Sequence, residues 1–464
     1  MHTRRVFAAG LLAAPLPALP TDPADLTASE ALALIRQRKL TPVELTQACL
    51  KRIERLNPRL NAFITVTGEP ALERARSLRP ANAAREPLHG LPIGLKDLYD
   101  TAGVRTTAAS RHWRERVPGT DAEVVRRLRS AGAVITGKAN MDEFAYNFTS
   151  ETSAFGPARN PWNESCSPGG SSGGSAIAVA CGMSLAALGS DTGGSIRLPA
   201  SFCGITGYKP TFGRVPTEGA APLAWSLDHV GPMTRSARDA ALLHGVLCGQ
   251  PVKLAVVKDL RIGIPREPYW QGLQSDVEGA MAEAAKTLQR LCREVRDVTL
   301  PPLELNPASP LPKAYATVIF AEAFAFHRDM LARHAELYHA GTRASIELGK
   351  PIDAATYIAA RREMDRLRST AATELFRGAD LLLTPTAPGP AFPLASNPSL
   401  DFLRNTAPWN LYGLPTIAIP CGFGKSGLPI GLQLTGPPGA DAAVLSAAAA
   451  FQTETDFHQR RPKL

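Results

Sequence analysis

The stretch from residue 168 to 203 constrains the fold more than any other, because two glycine- and serine-rich turns flank one apolar run. Gly169 to Ser175 reads G-G-S-S-G-G-S, Thr192 to Ser195 reads T-G-G-S, and Ala176 to Leu188 between them is mostly small and apolar. Glycine permits positive φ and close backbone approach, so each turn can aim several N–H groups into one small space. The run between them is too short to span a bilayer and suits a buried helix followed by a strand. That arrangement would hold the turns at a fixed separation in the interior. A flexible Gly/Ser linker is the competing interpretation. A linker does not bury its flanks, and this second turn carries Asp191 and Arg197, expected to pair and hold it.

The surrounding chain alternates helix and short apolar strand. Thr27 with Glu30, and Thr41 with Glu44, have capping-box spacing, and Pro42 stands at the favoured first helical position. Two amphipathic helices are therefore predicted over residues 24–57. Short strands are predicted at 61–66, 90–95, 134–135, 260–265, 379–384, 416–420 and 430–434, and helices at 123–130, 276–291, 314–335, 354–375 and 440–452. The pattern argues an α/β fold: one large domain whose central mixed β-sheet is covered by helices on both faces. The sequence shows neither an internal repeat nor an inter-domain linker.

Composition narrows the function classes. With 44% hydrophobic and 20% charged residues the chain is globular. The formal charge of +9 is spread over scattered basic residues, with no long Lys/Arg run, which argues against nucleic acid as a partner. Seven cysteines without C-x-x-C spacing argue against both a disulfide scaffold and a zinc site, so no metal or cofactor is expected. Residues 1–20 contain T-R-R-V-F ahead of a short apolar, proline-bearing stretch, which resembles a twin-arginine export signal. That would make the protein periplasmic, with the cytoplasm as the alternative and no stable membrane insertion.

Amide hydrolysis needs a nucleophile, a proton acceptor, oxyanion donors and a proton for the leaving amine. None of the nine histidines lies in either turn, and neither H-E-x-x-H nor G-x-S-x-G occurs. A buried lysine can act as base once desolvation lowers its pKa. Lys96, directly after the apolar segment L-P-I-G-L, is the candidate.

At this point H-G-L-P-I-G-L-K-D, P-G-G-S-S-G-G-S and G-S-D-T-G-G-S-I-R-L-P-A together resemble the amidase signature family of serine hydrolases. The likeness runs from about residue 25 to 455 through G-K-A-N-M-D-E-F, S-L-D-H-V-G-P-M and N-L-Y-G-L-P-T-I-A-I-P-C-G-F, leaving 21–464 as the amidase signature domain. It implies a Ser–Ser–Lys triad: Ser195 as nucleophile, Ser171 on a cis peptide bond as the bridge, and Lys96 as base. It further implies an oxyanion hole from the N–H groups of Thr192, Gly193, Gly194 and Ser195, loop support from Ser172, and a site-lining Met141. Tyr146, Phe148 and Thr149 follow Met141 and could face substrate.

The family points to a stand-alone amidase acting on a small-molecule amide, with a homodimer left open. The alternative is the glutaminase (A) subunit of a tRNA-dependent amidotransferase, which passes ammonia to a partner. Against that alternative stand the export-like N-terminus and His229, where such a chain usually has Gln. An inactive binding or assembly protein is a third class, and the intact Lys96, Ser171 and Ser195 argue against it.

Overall fold

A computed structural model describes residues 22–463. Both N-terminal capping boxes form: the Thr27 and Thr41 side chains accept from the amides of Glu30 and Glu44, whose carboxylates accept in return. Helices Ala28–Arg36 and Pro42–Leu60 result; the first, with Leu45 and Cys49 of the second, enters the core beside Leu91, Leu95 and Leu188, while Ile53, Leu56 and Leu60 pack with Phe63 and Ile177. The twin-arginine segment lies outside the described residues. No helix among those described is long and apolar enough to cross a membrane.

Eleven strands among the described residues make one sheet: β1 Phe63–Val66, β2 Pro92–Lys96, β3 Val134–Ala139, β4 Ala186–Asp191, β5 Thr206–Lys209, β6 His229–Thr234, β7 Arg261–Pro265, β8 Glu294–Val298, β9 Leu381–Pro385, β10 Thr416–Phe423 and β11 Pro429–Thr435. Their spatial order is β1-β3-β2-β4-β6-β5-β10-β11-β9-β7-β8. β2 runs parallel to β3 and β4, and β7 parallel to β8 and β9, while the other pairs are antiparallel. The sheet is therefore mixed, as expected. Every residue of β2, β3, β4 and β6 is buried, so both faces of this part of the sheet are covered.

The sheet's two halves follow the chain's two halves. Strands β1 to β6 form one side, β7 to β11 the other, and they meet where β5 pairs with β10, Tyr208 opposite Ile417.

Three strands differ from the sequence reading. β5 lies in a stretch read only as alternating helix and strand, and β6 is absent from that reading; Gly207, Gly231 and Pro232 break the apolar pattern of both. Pro232 is tolerated because β5 pairs with β6 only at Thr234 and Met233. β8 is a largely polar edge strand with no apolar alternation to reveal it.

Candidate active site

Two neighbouring parallel strands end at the expected site residues. β2 ends at Lys96 and β4 at Asp191, held in register by the pairing of Leu95 with Leu188. The apolar run folds as expected, into the wholly buried helix Gly173–Ala180 followed by β4. The two turns meet at its ends: the Ser172 N–H donates to the Ser195 carbonyl at 3.2 Å.

Lys96 is fully buried, and its Nζ donates to Ser171 Oγ at 2.7 Å and to Ser190 Oγ at 2.9 Å. Burial, only partly offset by the fields of Asp142, Asp191 and Asp228, pulls the ammonium down to about 7. The Gly170–Ser171 peptide is cis. Asp142 cradles it, donating its N–H to the Ser171 carbonyl and accepting from the Ser150 amide through Oδ2. Ser172 Oγ donates to the Ser190 carbonyl, a loop-supporting contact.

Asp191 organises the second turn. Its carboxylate accepts from the amides of Gly194 and Ile196 and forms a fully buried pair with the Arg197 guanidinium, at 2.9 and 3.0 Å. Burial would raise this carboxyl, but Arg197, Lys209 and Asn410 hold it well below the usual carboxylate range. The expected pairing of Asp191 and Arg197 is present.

This geometry divides the four expected oxyanion donors. The Gly194 N–H is already committed to Asp191 Oδ1 at 2.8 Å. Among the described residues, the N–H groups of Thr192, Gly193 and Ser195 have no acceptor, and neither does the Ser195 hydroxyl. The turn is also pinched between side chains from the other half of the chain. A Cβ on Gly193 would stand 2.1 Å from Tyr315 Oη, and one on Gly194, where φ is +135°, 2.4 Å from Thr406 Oγ1. Thr406 Oγ1 donates to the Gly193 carbonyl at 2.5 Å. Only glycines fit there.

Met141 packs in the apolar cluster with Leu95, Leu98, Tyr99 and Leu188 and makes no polar side-chain contact with the serines. Tyr146 lies in the same cluster as Tyr315, its buried hydroxyl lacking a protein partner, whereas Phe148 packs instead against Phe202 and Phe392. No histidine hydrogen-bonds to Ser171 or Ser195 among the described residues. His229 is buried against the Leu227 carbonyl, and desolvation, with Lys209 nearby, keeps its ring neutral. Ser190, Asp228, Tyr315 and Thr406 are the site neighbours that sequence reasoning missed.

Comparison with known proteins decides the family. A sequence profile of the family described as Amidase matches residues 44–445. The chain belongs to the amidase family. It is a hydrolase of amide C–N bonds. This amidase is 40% identical to the A subunit of the glutamyl-tRNA(Gln) amidotransferase of Geobacter sp. (strain M21), over 95% of this chain and 99% of that one. Its fold superposes on a solved amidase with a TM-score of 0.85 at 36% identity, covering 92% of this chain and all of that one. The solved A subunit of the glutamyl-tRNA(Gln) amidotransferase of Thermotoga maritima gives 0.78 at 33% identity, covering 96% of this chain and 99% of that one.

Proposed function

We propose that the chain hydrolyses a primary carboxamide, releasing ammonia, through an acyl-enzyme on Ser195. The observation that carries this reading is the fully buried Lys96, 2.7 Å from Ser171 Oγ and shifted to about 7. Neutral Lys96 takes the Ser171 proton while Ser171 takes that of Ser195. Ser195 Oγ then bonds to the carbonyl carbon. The resulting oxyanion faces the free N–H groups of Thr192, Gly193 and Ser195. As the C–N bond breaks, the proton returns through Ser171 to the nitrogen, which leaves as ammonia. Water, deprotonated along the same path, opens the ester, and Ser195 Oγ recovers its proton as the carboxylate departs.

Two readings share this chemistry. The relatives at 40% identity over nearly the whole chain favour an amidotransferase A subunit, which takes the side-chain amide of glutamine and hands ammonia to a protein partner. Work on charged tRNA would place it in the cytoplasm rather than beyond an export system. The stand-alone amidase is the second reading, favoured by the better superposition on a solved amidase, 0.85 against 0.78.

Ammonia release by the isolated chain, from glutamine and from aliphatic, aromatic and peptide amides, separates the two. Turnover of simple amides without a partner supports the stand-alone enzyme. Turnover that needs both charged tRNA and a protein partner supports the amidotransferase reading. A fluorophosphonate adduct that vanishes in Ser195→Ala supports the nucleophile assignment. Full activity of Ser195→Ala overturns both readings.

A further inference from the structure

Asp228 has no part in the proton path above, yet it reaches the oxyanion turn directly. Thr192 Oγ1 donates to Asp228 Oδ1 at 2.6 Å, while the amides of Leu223 and Ala224 donate to Asp228 Oδ2 at 3.0 and 3.1 Å. The Thr192 N–H is one of the three donors left without a protein acceptor. We propose that Asp228 is a positioning residue: by gripping the Thr192 hydroxyl it fixes the direction of an oxyanion-binding N–H. The inference rests on Ser195 being the nucleophile.

The loop carrying Asp228 is itself anchored. Two residues earlier, Ser226 donates through N–H and Oγ to the buried carboxylate of Glu322, at 2.9 and 2.5 Å. Tyr357 Oη donates to the same carboxylate, and Arg361 donates to Ser226 Oγ at 2.6 Å. Helices Lys313–His334 and Ala354–Leu375 thus hold the loop that holds the turn. A floppy loop could not orient Thr192. This one is tied to two helices by charge-assisted hydrogen bonds.

Asp228 also borders a cavity of about 130 Å³ shared with Ser190 and His229, so it is only partly screened from solvent. The charged and titratable groups that act on it or feel its field are Glu322, Lys96, Tyr99 and Tyr315. Desolvation, opposed by Thr192 and the two amides and reinforced by Glu322, lifts its carboxyl up to about 6. Protonation there weakens the acceptor that Thr192 uses. It also removes a field that holds the proton on Lys96.

The test is a double-mutant cycle on Thr192 and Asp228, with ammonia release and thermal melting both measured. Thr192→Val and Asp228→Asn should each lower kcat about ten- to a hundredfold with KM changed less than about twofold, the size expected for a misaimed oxyanion donor. The double variant should be no worse than the poorer single one, because both substitutions break the same bond. Thr192→Ser, which keeps the hydroxyl, should restore kcat. The acid limb of kcat/KM should steepen below about pH 6 in the unaltered protein and keep single-proton steepness in Asp228→Asn. If Asp228→Asn fails to fold, Thr192→Val and Thr192→Ser decide alone. Wild-type kcat in Thr192→Val, or losses that multiply in the double variant, would overturn the proposal. Activity surviving Ser195→Ala would instead strike at the nucleophile on which it rests.

Discussion

Replacing Lys96 with methionine removes the proposed base and a stability penalty together, and the two can be measured separately. An ammonium lowered from 10.5 to about 7 by burial costs the fold about 5 kcal/mol wherever both states carry the proton. Between pH 7 and 10.5 the unfolded chain keeps a proton that the folded chain has shed, so stability rises with pH across that window. The residual penalty is about 4 kcal/mol at pH 7 and about 2 kcal/mol at pH 9.

Lys96→Met also gives up two buried hydrogen bonds, to Ser171 and Ser190, together worth about 2 kcal/mol. The variant should therefore be about 2 kcal/mol more stable than the unaltered protein near pH 7 and about equal near pH 9. Denaturant melts at both pH values read this difference, and taking it between the two proteins cancels the titrating groups that do not interact with Lys96; Asp142, Asp191 and Asp228, which do, are carboxyls. Activity should be lost in the variant, while in the unaltered protein kcat/KM should rise about tenfold per pH unit between about pH 6 and 7 and then level. A variant whose stability difference stays the same at both pH values would refute a lysine neutralised by burial. So would a kcat/KM that ignores pH between 6 and 8.

Gly193→Ala should cut kcat more than about a hundredfold, since its methyl would stand 2.1 Å from Tyr315 Oη. Adding Tyr315→Phe should recover part of that loss, because the nearest remaining atom is a ring carbon at 3.1 Å; ammonia release from both variants checks it. Asp191→Asn leaves the buried Arg197 guanidinium without its counter-charge and should cost about 3–5 kcal/mol in chemical denaturation. A loss below about 1 kcal/mol would show that Asn410 and Gln433, which also accept from Arg197, suffice to hold it.

The part of the site that was legible in the sequence lies where the chain's local grammar is strongest. Ser171 and Ser195 announce themselves through glycines that only tight turns require, and Lys96 through an apolar strand that ends in a charge. The buttresses announce nothing. Thr406 and Tyr315 meet Gly193 across more than a hundred intervening residues, and each looks locally like an ordinary polar residue at the edge of a helix. Asp228 is similar, since its contact with Thr192 depends on the register of β4 against β6, where Asp191 faces His229. The same limit hid β6, whose Gly231 and Pro232 are tolerated only because of what its neighbours do. The division among the turn's N–H groups was likewise invisible, because it depends on where the Asp191 carboxylate points.

The way the sheet follows the chain, strands β1 to β6 on one side and β7 to β11 on the other, has a consequence for how such a catalyst can diversify. The proposed base, bridge and nucleophile all precede the β5–β10 seam, whereas Tyr315 and Thr406, which close over the turn, come after it. Substitutions in the later half can therefore reshape the surroundings of the turn without touching Lys96, Ser171 or Ser195, provided the side chains that hold the turn, Glu322, Arg361 and Thr406 among them, stay in place.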